Sequence, residues 1–208
     1  MKKLLFSLLL INFTVFAQEI NLYPIEDSNL LSYLQGMHPQ TIVNDSLDVN
    51  ATGGIETLLL INDLNLTSID GIQYFNDLTY LDCSSNQLTT LPELPSGLTY
   101  LDCGDNEITS LPELPSSLTE LHCSSNQLTS LPELPSSLTE LHCGSNQLTT
   151  LPELPSSLTE LNCVGNQLTS LPELPNSLYW LNCGLNPITS LPELPGDLGV
   201  LGCVNCQL

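Results

Sequence analysis

Two histidines with neighbouring acids are the residues of this chain best suited to chemistry. His122 and His142 lie 20 residues apart, and each follows a glutamate by two positions, Glu120 and Glu140. Imidazole nitrogens and carboxylate oxygens on neighbouring strands could hold a divalent metal ion, or the histidines could activate a nearby serine for hydrolysis. A flat sheet encloses a metal poorly and supplies neither a pocket nor oxyanion donors. The sequence therefore predicts no enzyme and no resident metal, with His122 and His142 kept as an alternative metal pair.

Cysteines form a second set with chemical potential, because seven of the eight recur at one position every 20 residues. The seven are Cys83, Cys103, Cys123, Cys143, Cys163, Cys183 and Cys203. Equivalent residues on adjacent parallel strands lie about 4.8 Å apart with parallel Cα–Cβ bonds, whereas a disulfide needs Cβ atoms about 3.8 Å apart that face each other. We therefore expect free thiols that act as small buried apolar side chains. Cys203 and Cys206 form a CxxC, which is a weak sign of a metal or redox site without a second pair.

The elements that carry these residues follow from internal repetition. From Leu78 the segment LTYLDCSSNQLTTLPELPSG recurs every 20 residues, in six full copies that end at Asp197 and an eleven-residue partial copy. Residues 55–78 form a divergent first repeat with a period of 22, in which an apolar spacing of three predicts a short helical turn. Self-similarity at a fixed period of this length indicates a solenoid.

Two apolar spacings alternate within each copy. Leu81 and Cys83 are two residues apart, as on one face of a β-strand. Leu88, Leu91 and Leu94 recur at threes with prolines between them, which predicts an extended, polyproline-like side with its leucines pointing inward. An asparagine follows each strand, and we expect its amide to bond backbone groups of the turn. The asparagines are Asn86, Asn106, Asn126, Asn146, Asn166 and Asn186.

The first 54 residues do not repeat. Residues 1–17 carry two lysines and then an apolar run, which is typical of a secretory signal peptide and predicts export. The run is shorter than the roughly 20 residues of a membrane span. We expect residues 18–54 to form an N-terminal cap with a short helix over residues 26–35 and one short strand in otherwise irregular backbone, and residues 55–208 to form the solenoid.

The motif LxxLxCxxNxLTxLPELPxx resembles the short leucine-rich repeat of bacteria, in particular the LPX type of effectors injected by Gram-negative pathogens. The 22-residue first unit is more similar to internalin repeats. The resemblance implies an α/β-type horseshoe with a parallel sheet on its concave face, used for protein recognition. It implies no counterpart of the catalytic cysteine in the ubiquitin-ligase domain that follows some such arrays. Together with the signal peptide, it favours similarity to exported or surface leucine-rich repeat proteins.

Comparison of the copies points to a binding face, because the apolar skeleton stays fixed while strand positions on the concave face change. These candidate partner-binding residues are Tyr80, Asp82, Tyr100, Asp102, Glu120, His122, Glu140, His142, Glu160, Asn162, Trp180 and Asn182. Aromatic residues on an exposed sheet are typical binding anchors, so Trp180 forms one expected patch and the two tyrosines a second. The alternatives are drift at solvated positions and aromatic side chains that only cover the sheet.

The net charge of the chain limits the classes of molecule that it can bind. The chain has 23 acidic residues and no arginine, and both lysines lie in residues 1–17, so removal of that segment changes the formal charge from −21 to −23. Nucleic acids and anionic membranes are therefore excluded, and basic or neutral proteins, glycans or divalent cations are favoured. One glutamate per repeat forms a column on the convex side, for which we expect solvation, with calcium bridging as an alternative. The column consists of Glu93, Glu113, Glu133, Glu153, Glu173 and Glu193.

These observations predict an exported module that binds a protein through its concave face. The alternative is a structural or adhesive acidic surface protein that binds divalent cations or glycans. An uncapped last turn would expose apolar surface and an unpaired strand edge. We therefore expect either end-to-end self-association through the C-terminal end or a chain that is shortened relative to its relatives.

Overall fold

The computed structural model describes residues 22–51 and 58–207. The predicted signal peptide, residues 1–17, lies outside the described residues. An N-terminal unit with one α-helix and a small antiparallel sheet precedes a solenoid with an eight-stranded parallel sheet. Within the described ranges, no helix has the length and apolar character needed to cross a membrane.

The N-terminal unit differs in detail from its prediction. Its elements are β1 (Leu22–Pro24), α1 (Ser28–Met37), β2 (Ile42–Val43) and β3 (Ser46–Asp48), with the strands in the order β1-β3-β2. The helix lies two residues further along the chain than predicted because Asp27 is its N-cap, accepting hydrogen bonds from the backbone N–H groups of Asn29 and Leu30. The prediction of a single short strand after the helix was wrong, since β2 and β3 form a hairpin that pairs with β1.

The helix covers the first turn of the solenoid. Leu30 and Leu34 are buried and share an apolar cluster with Ile72 and Phe75 of the first repeat. The Asp27 carboxylate also accepts hydrogen bonds from the backbone N–H of Thr67 at 2.7 Å and from its hydroxyl at 3.0 Å. Burial opposes ionisation of Asp27, but these hydrogen bonds outweigh it and hold the pKa of the carboxyl below its usual value. The capping role predicted for the helix therefore has a polar and an apolar basis.

The parallel sheet takes one three-residue strand from each repeat. The strands are β4 (Leu58–Leu60), β5 (Tyr80–Asp82), β6 (Tyr100–Asp102), β7 (Glu120–His122), β8 (Glu140–His142), β9 (Glu160–Asn162), β10 (Trp180–Asn182) and β11 (Val200–Gly202). They pair in chain order, and equivalent residues of successive repeats are partners throughout. The solenoid and its parallel sheet confirm the predicted fold class.

The interior of the solenoid is a stack of identical layers. Leu81, Cys83 and Leu88 are fully buried, and so are their equivalents in the next five repeats. The six cysteines from Cys83 to Cys183 are free thiols in this core, as predicted, while Cys203 is only half-buried in the last turn. On the other side of the solenoid, a 3₁₀ helix, Ile72–Tyr74, forms in the first repeat, and the described residues of later repeats contain no helix. The prolines of the LPELP segments explain that difference because they cannot donate helical hydrogen bonds.

The asparagine column joins successive turns, which confirms its predicted structural role. The Asn126 side-chain carbonyl accepts a hydrogen bond from the backbone N–H of Ile108 in the previous turn at 2.9 Å. Its amide nitrogen donates to the carbonyl of Cys103 in that turn at 2.9 Å, and to the carbonyls of Cys123 and Ser124 in its own turn. Backbone groups inside the solenoid thereby gain partners that no sheet ladder supplies.

Candidate functional site

The candidate site is the exposed side of the parallel sheet, which we call the strand face. In each strand from β5 to β10 the middle leucine is buried, and the first and third residues are half-buried with their side chains outside the core. The structure therefore places the twelve candidate partner-binding residues on one continuous surface.

Five rings form a contiguous line across the strand face, which we call the ring row: Tyr80, Tyr100, His122, His142 and Trp180. The two tyrosine rings are stacked, with centroids 4.0 Å apart and an interplanar angle of 2°. Tyr100 lies 5.3 Å from His122, the two imidazoles lie 4.5 Å apart, and His142 lies 6.2 Å from Trp180, centroid to centroid. The three separations that involve a histidine fall in the range of about 4.5–7 Å of favourable ring pairs, and the two tyrosine rings lie closer together.

The ring row was only partly predicted, because the sequence pattern indicated two separate aromatic patches. The structure joins them through the histidines, which occupy the third position of their strands, whereas the tyrosines and Trp180 occupy the first. The row therefore runs diagonally at both ends. Tyr100 and His122 are diagonal neighbours on adjacent strands, a separation within reach of aromatic side chains, whereas β9 lies between His142 and Trp180. Alternation along each strand indicates that these residues share one face of the sheet, but the contacts between their rings depend on side-chain rotamers.

Four other candidates also have a structural role. One carboxylate oxygen of Asp82 accepts hydrogen bonds from the backbone N–H and the hydroxyl of Ser84, and the Asp102 carboxylate accepts from the N–H of Gly104. Asn162 and Asn182 accept in the same way from the residue two positions on. Each of these side chains thus stabilises the turn that leaves its strand. His122 and His142 occupy the equivalent position without a side-chain oxygen to do so.

The histidines and glutamates form the one cluster of metal-ligating side chains found among the described residues. Ligand atoms of His122, Glu140 and His142 all lie within 4.8 Å of one another, and His142 Nε2 lies 4.0 Å from a carboxylate oxygen of Glu160. Both histidine Nε2 atoms are buried, and neither has a hydrogen-bond partner among the described residues. Burial, reinforced by the neighbouring His122, lowers the pKa of His142 below its usual value. His142 is therefore a neutral imidazole at neutral pH.

Burial also affects the N-terminal half of the strand face. It raises the pKa of the Asp102 carboxyl above its usual value, although the hydrogen bond from Gly104 opposes the shift. Burial and the contact with Tyr80 raise the pKa of the Tyr100 phenol, so this phenol stays neutral. This end of the strand face presents uncharged rings beside acids, whereas Glu120, Glu140 and Glu160 concentrate negative charge at the centre.

The opposite side of the solenoid carries the LPELP segments and the predicted glutamate column. All six glutamates of the column are exposed, as expected for a solvated position. An open groove of about 1240 Å³ runs along this side, lined by leucines, prolines and serines together with four of the glutamates. Those four are Glu113, Glu133, Glu153 and Glu173. The groove is a second surface feature that the sequence pattern did not predict.

Comparison with known families agrees with the repeat geometry. A family described as Leucine Rich Repeat matches residues 77–98, and one described as Leucine Rich repeats (2 copies) matches residues 96–136, 116–156 and 136–176. Each match spans one or two turns of the parallel sheet. The solenoid is built from leucine-rich repeats. A comparison with curated proteins gave no match.

Solved leucine-rich repeat proteins of bacteria share this fold. The chain is similar to YopM from Yersinia enterocolitica WA-314, with 38% identity and a TM-score of 0.53 over 62% of this chain and 33% of that one. It is similar to the leucine-rich repeat domain of a Shigella effector, with 37% identity and a TM-score of 0.60 over 64% of this chain and 60% of that one. YopM from Yersinia pestis, a leucine-rich effector protein, is 33% identical with a TM-score of 0.52, over 66% of this chain and 52% of that one. The chain thus spans between a third and three fifths of these solved chains.

Proposed function

We propose that this chain is an exported leucine-rich repeat module that binds a protein partner through its strand face, and that it acts by binding rather than by catalysis. The observation that carries the proposal is the ring row, a line of five ring side chains across six neighbouring strands. Similarity to bacterial effectors with leucine-rich repeats supports a role in protein recognition. Export rests on the signal peptide predicted for residues 1–17, and fractionation of producing cells tests it.

The physical argument for protein binding is that half-buried rings anchor interfaces at low entropic cost. Tyrosine and tryptophan offer large rigid apolar area with one polar group, and they are enriched among residues that dominate binding energy. Stacking already holds Tyr80 and Tyr100 in one orientation, so a partner need not immobilise them. The acids that flank the row favour a partner surface that is basic or neutral.

The test is capture of partners from host and bacterial surface extracts on residues 18–208. One variant carries Tyr80→Ser, Tyr100→Ser and Trp180→Ser, and a matched control carries Glu113→Gln, Glu133→Gln and Glu153→Gln on the opposite side. Circular dichroism must match for all three proteins. A partner retained by the parent and the control but lost by the ring variant supports the proposal. Equal retention by the ring variant and the parent contradicts it.

The groove favours a second candidate function, a structural or adhesive role based on divalent cations or glycans. Its four glutamates recur at the repeat spacing, and carboxylate oxygens are the ligands that Ca²⁺ prefers. Here the discriminating measurement is the melting temperature in millimolar calcium against millimolar magnesium. A rise that is specific to calcium and absent in the Glu113→Gln, Glu133→Gln, Glu153→Gln control supports a calcium-based form of this role, and an unchanged melting temperature removes that form.

A further inference from the structure

Two buried ring nitrogens on the strand face lack a partner. His122 Nε2 and His142 Nε2 are shielded from solvent, yet neither forms a hydrogen bond with a described residue. A buried polar atom without a partner costs about 1–3 kcal/mol. Two such atoms lie on adjacent strands, in stacked rings 4.5 Å apart, and both therefore lower the stability of the folded chain at this place. Such positions are more often functional than accidental.

The residues at the equivalent position in other repeats form a hydrogen bond that the two histidines lack a side-chain oxygen to form. Asp82, Asp102, Asn162 and Asn182 all use a side-chain oxygen to accept a hydrogen bond from the turn that follows. An imidazole in place of that side chain loses this acceptor and leaves Nε2 without a partner. Duplication of one repeat would explain why the two histidines are alike, but it supplies no partner for their nitrogens.

We propose that His122, His142 and Glu140 bind a late first-row divalent metal ion, with Zn²⁺ as the representative, and that Glu160 supplies a fourth ligand. Imidazole nitrogen is a preferred ligand of zinc, copper and nickel, and zinc also accepts carboxylate oxygen, whereas calcium and magnesium prefer oxygen alone. Two imidazoles and two carboxylates match a four-coordinate tetrahedral zinc site.

The geometry needs only a small closure to form the site. Ligand atoms that share one tetrahedral zinc at about 2.1 Å lie about 3.4 Å from one another. The three atoms of the cluster already lie within 4.8 Å of one another, and Glu160 lies 4.0 Å from His142 Nε2. Both glutamates are partly exposed and free to change rotamer, while in-register strand pairing fixes the backbones that carry all four side chains.

The electrostatics of the strand face also suit a cation. Glu120 lies on the same strand as His122, Asp102 lies opposite His122 on the adjacent strand β6, and both add negative charge around the cluster. A bound ion would neutralise the two ligating carboxylates and cross-link β7, β8 and β9 at the middle of the ring row.

The chain contains its own reporter for metal binding. Its single tryptophan, Trp180, lies 6.2 Å from His142, so an ion at the cluster changes its fluorescence and Cu²⁺ quenches it. The experiment titrates the full chain with ZnCl₂ by isothermal titration calorimetry and with CuCl₂ by fluorescence. Both are repeated with Cys203→Ser and Cys206→Ser to remove the accessible thiols. We expect a single zinc ion per chain in both backgrounds and no comparable signal with Ca²⁺ or Mg²⁺.

Substitutions test which residues hold the ion. His122→Asn and His142→Asn install the residue that β9 and β10 carry at the same position, so the fold is retained, and metal-free circular dichroism checks it. Each is expected to weaken zinc binding by at least about tenfold, whereas Asp82→Asn, on a distant strand, leaves it unchanged. Zinc isotherms that coincide for the parent and His142→Asn, or a parent that binds no zinc, overturn the proposal. Since the titration uses the metal alone, its outcome is independent of whether the strand face binds a protein.

Discussion

Replacement of Asn126 by leucine isolates the hydrogen bonds that join successive turns of the solenoid. The residue is 8% exposed, and its side chain bonds the N–H of Ile108 and the carbonyl of Cys103 in the previous turn, both at 2.9 Å. Leucine has a similar volume and already occupies the equivalent position in the first repeat, as Leu64. The substitution therefore removes polar partners without opening a cavity.

The expected loss of stability follows from the backbone groups whose hydrogen bonds to Asn126 the substitution removes. The backbone N–H of the buried Ile108 is left without this partner, at a cost of about 1–3 kcal/mol, whereas the Cys103 carbonyl still accepts a hydrogen bond from the Asn106 amide at 3.1 Å. Burial of the added apolar atoms offsets roughly 1 kcal/mol of this. We expect Asn126→Leu to lower the free energy of unfolding by about 1–2 kcal/mol.

Urea unfolding followed by far-ultraviolet circular dichroism and by Trp180 fluorescence measures this loss. Both probes are needed because a solenoid can unfold in parts, and only coincident transitions justify a two-state free energy. The control is Gln127→Ala at the exposed neighbouring position, which should stay within about 0.5 kcal/mol of the parent. A loss for Asn126→Leu no larger than that for Gln127→Ala would refute the argument that the amide supplies a needed partner to the buried N–H of Ile108.

Three further predictions concern strain, pH and the last turn. Leu185 has a φ of 55°, and Gly165 at the equivalent position of the previous repeat has a φ of 68°. Measured by urea unfolding, Leu185→Gly should raise the free energy of unfolding by up to about 1 kcal/mol, and Gly165→Leu should lower it by a similar amount. Changes of the same sign in the two variants would contradict this prediction. Because burial holds the pKa of His142 below 6.5, the unfolded chain takes up this proton at a higher pH than the folded chain, and stability falls as pH drops below about 6.5. Between pH 7.5 and 5.5, in the presence of a chelator, the melting temperature should fall less for His142→Asn than for the parent. Equal falls would contradict the assignment of this pH dependence to His142. In the last described turn, Val200, Leu201 and Val204 are 43%, 38% and 73% exposed. Sedimentation velocity should therefore show self-association of the parent that Val204→Glu reduces. A parent that stays monomeric at all concentrations would disprove this prediction.

The repeated part of the fold was predictable because each turn touches only its neighbours. Leu81 and Cys83 indicate a strand by spacing alone, and recurrence every 20 residues then imposes the same register on every pair of strands. The buried thiols and the asparagine column follow from that register. The N-terminal unit was less predictable, since the pairing of β1 with β3 joins residues more than 20 positions apart and has no local signature.

The candidate site was likewise predictable only in part. The sequence by itself determined which residues face out of the sheet, because alternation along a strand is a local property. Only the tertiary structure decided that the tyrosines, histidines and Trp180 form one diagonal row and that Asp102 and Asn162 bond the turns that follow them. The structure alone also showed that the Nε2 atoms of His122 and His142 have no hydrogen-bond partner among the described residues. These features depend on the rotamers and contacts of side chains from neighbouring strands, and the order of residues along the chain does not specify them.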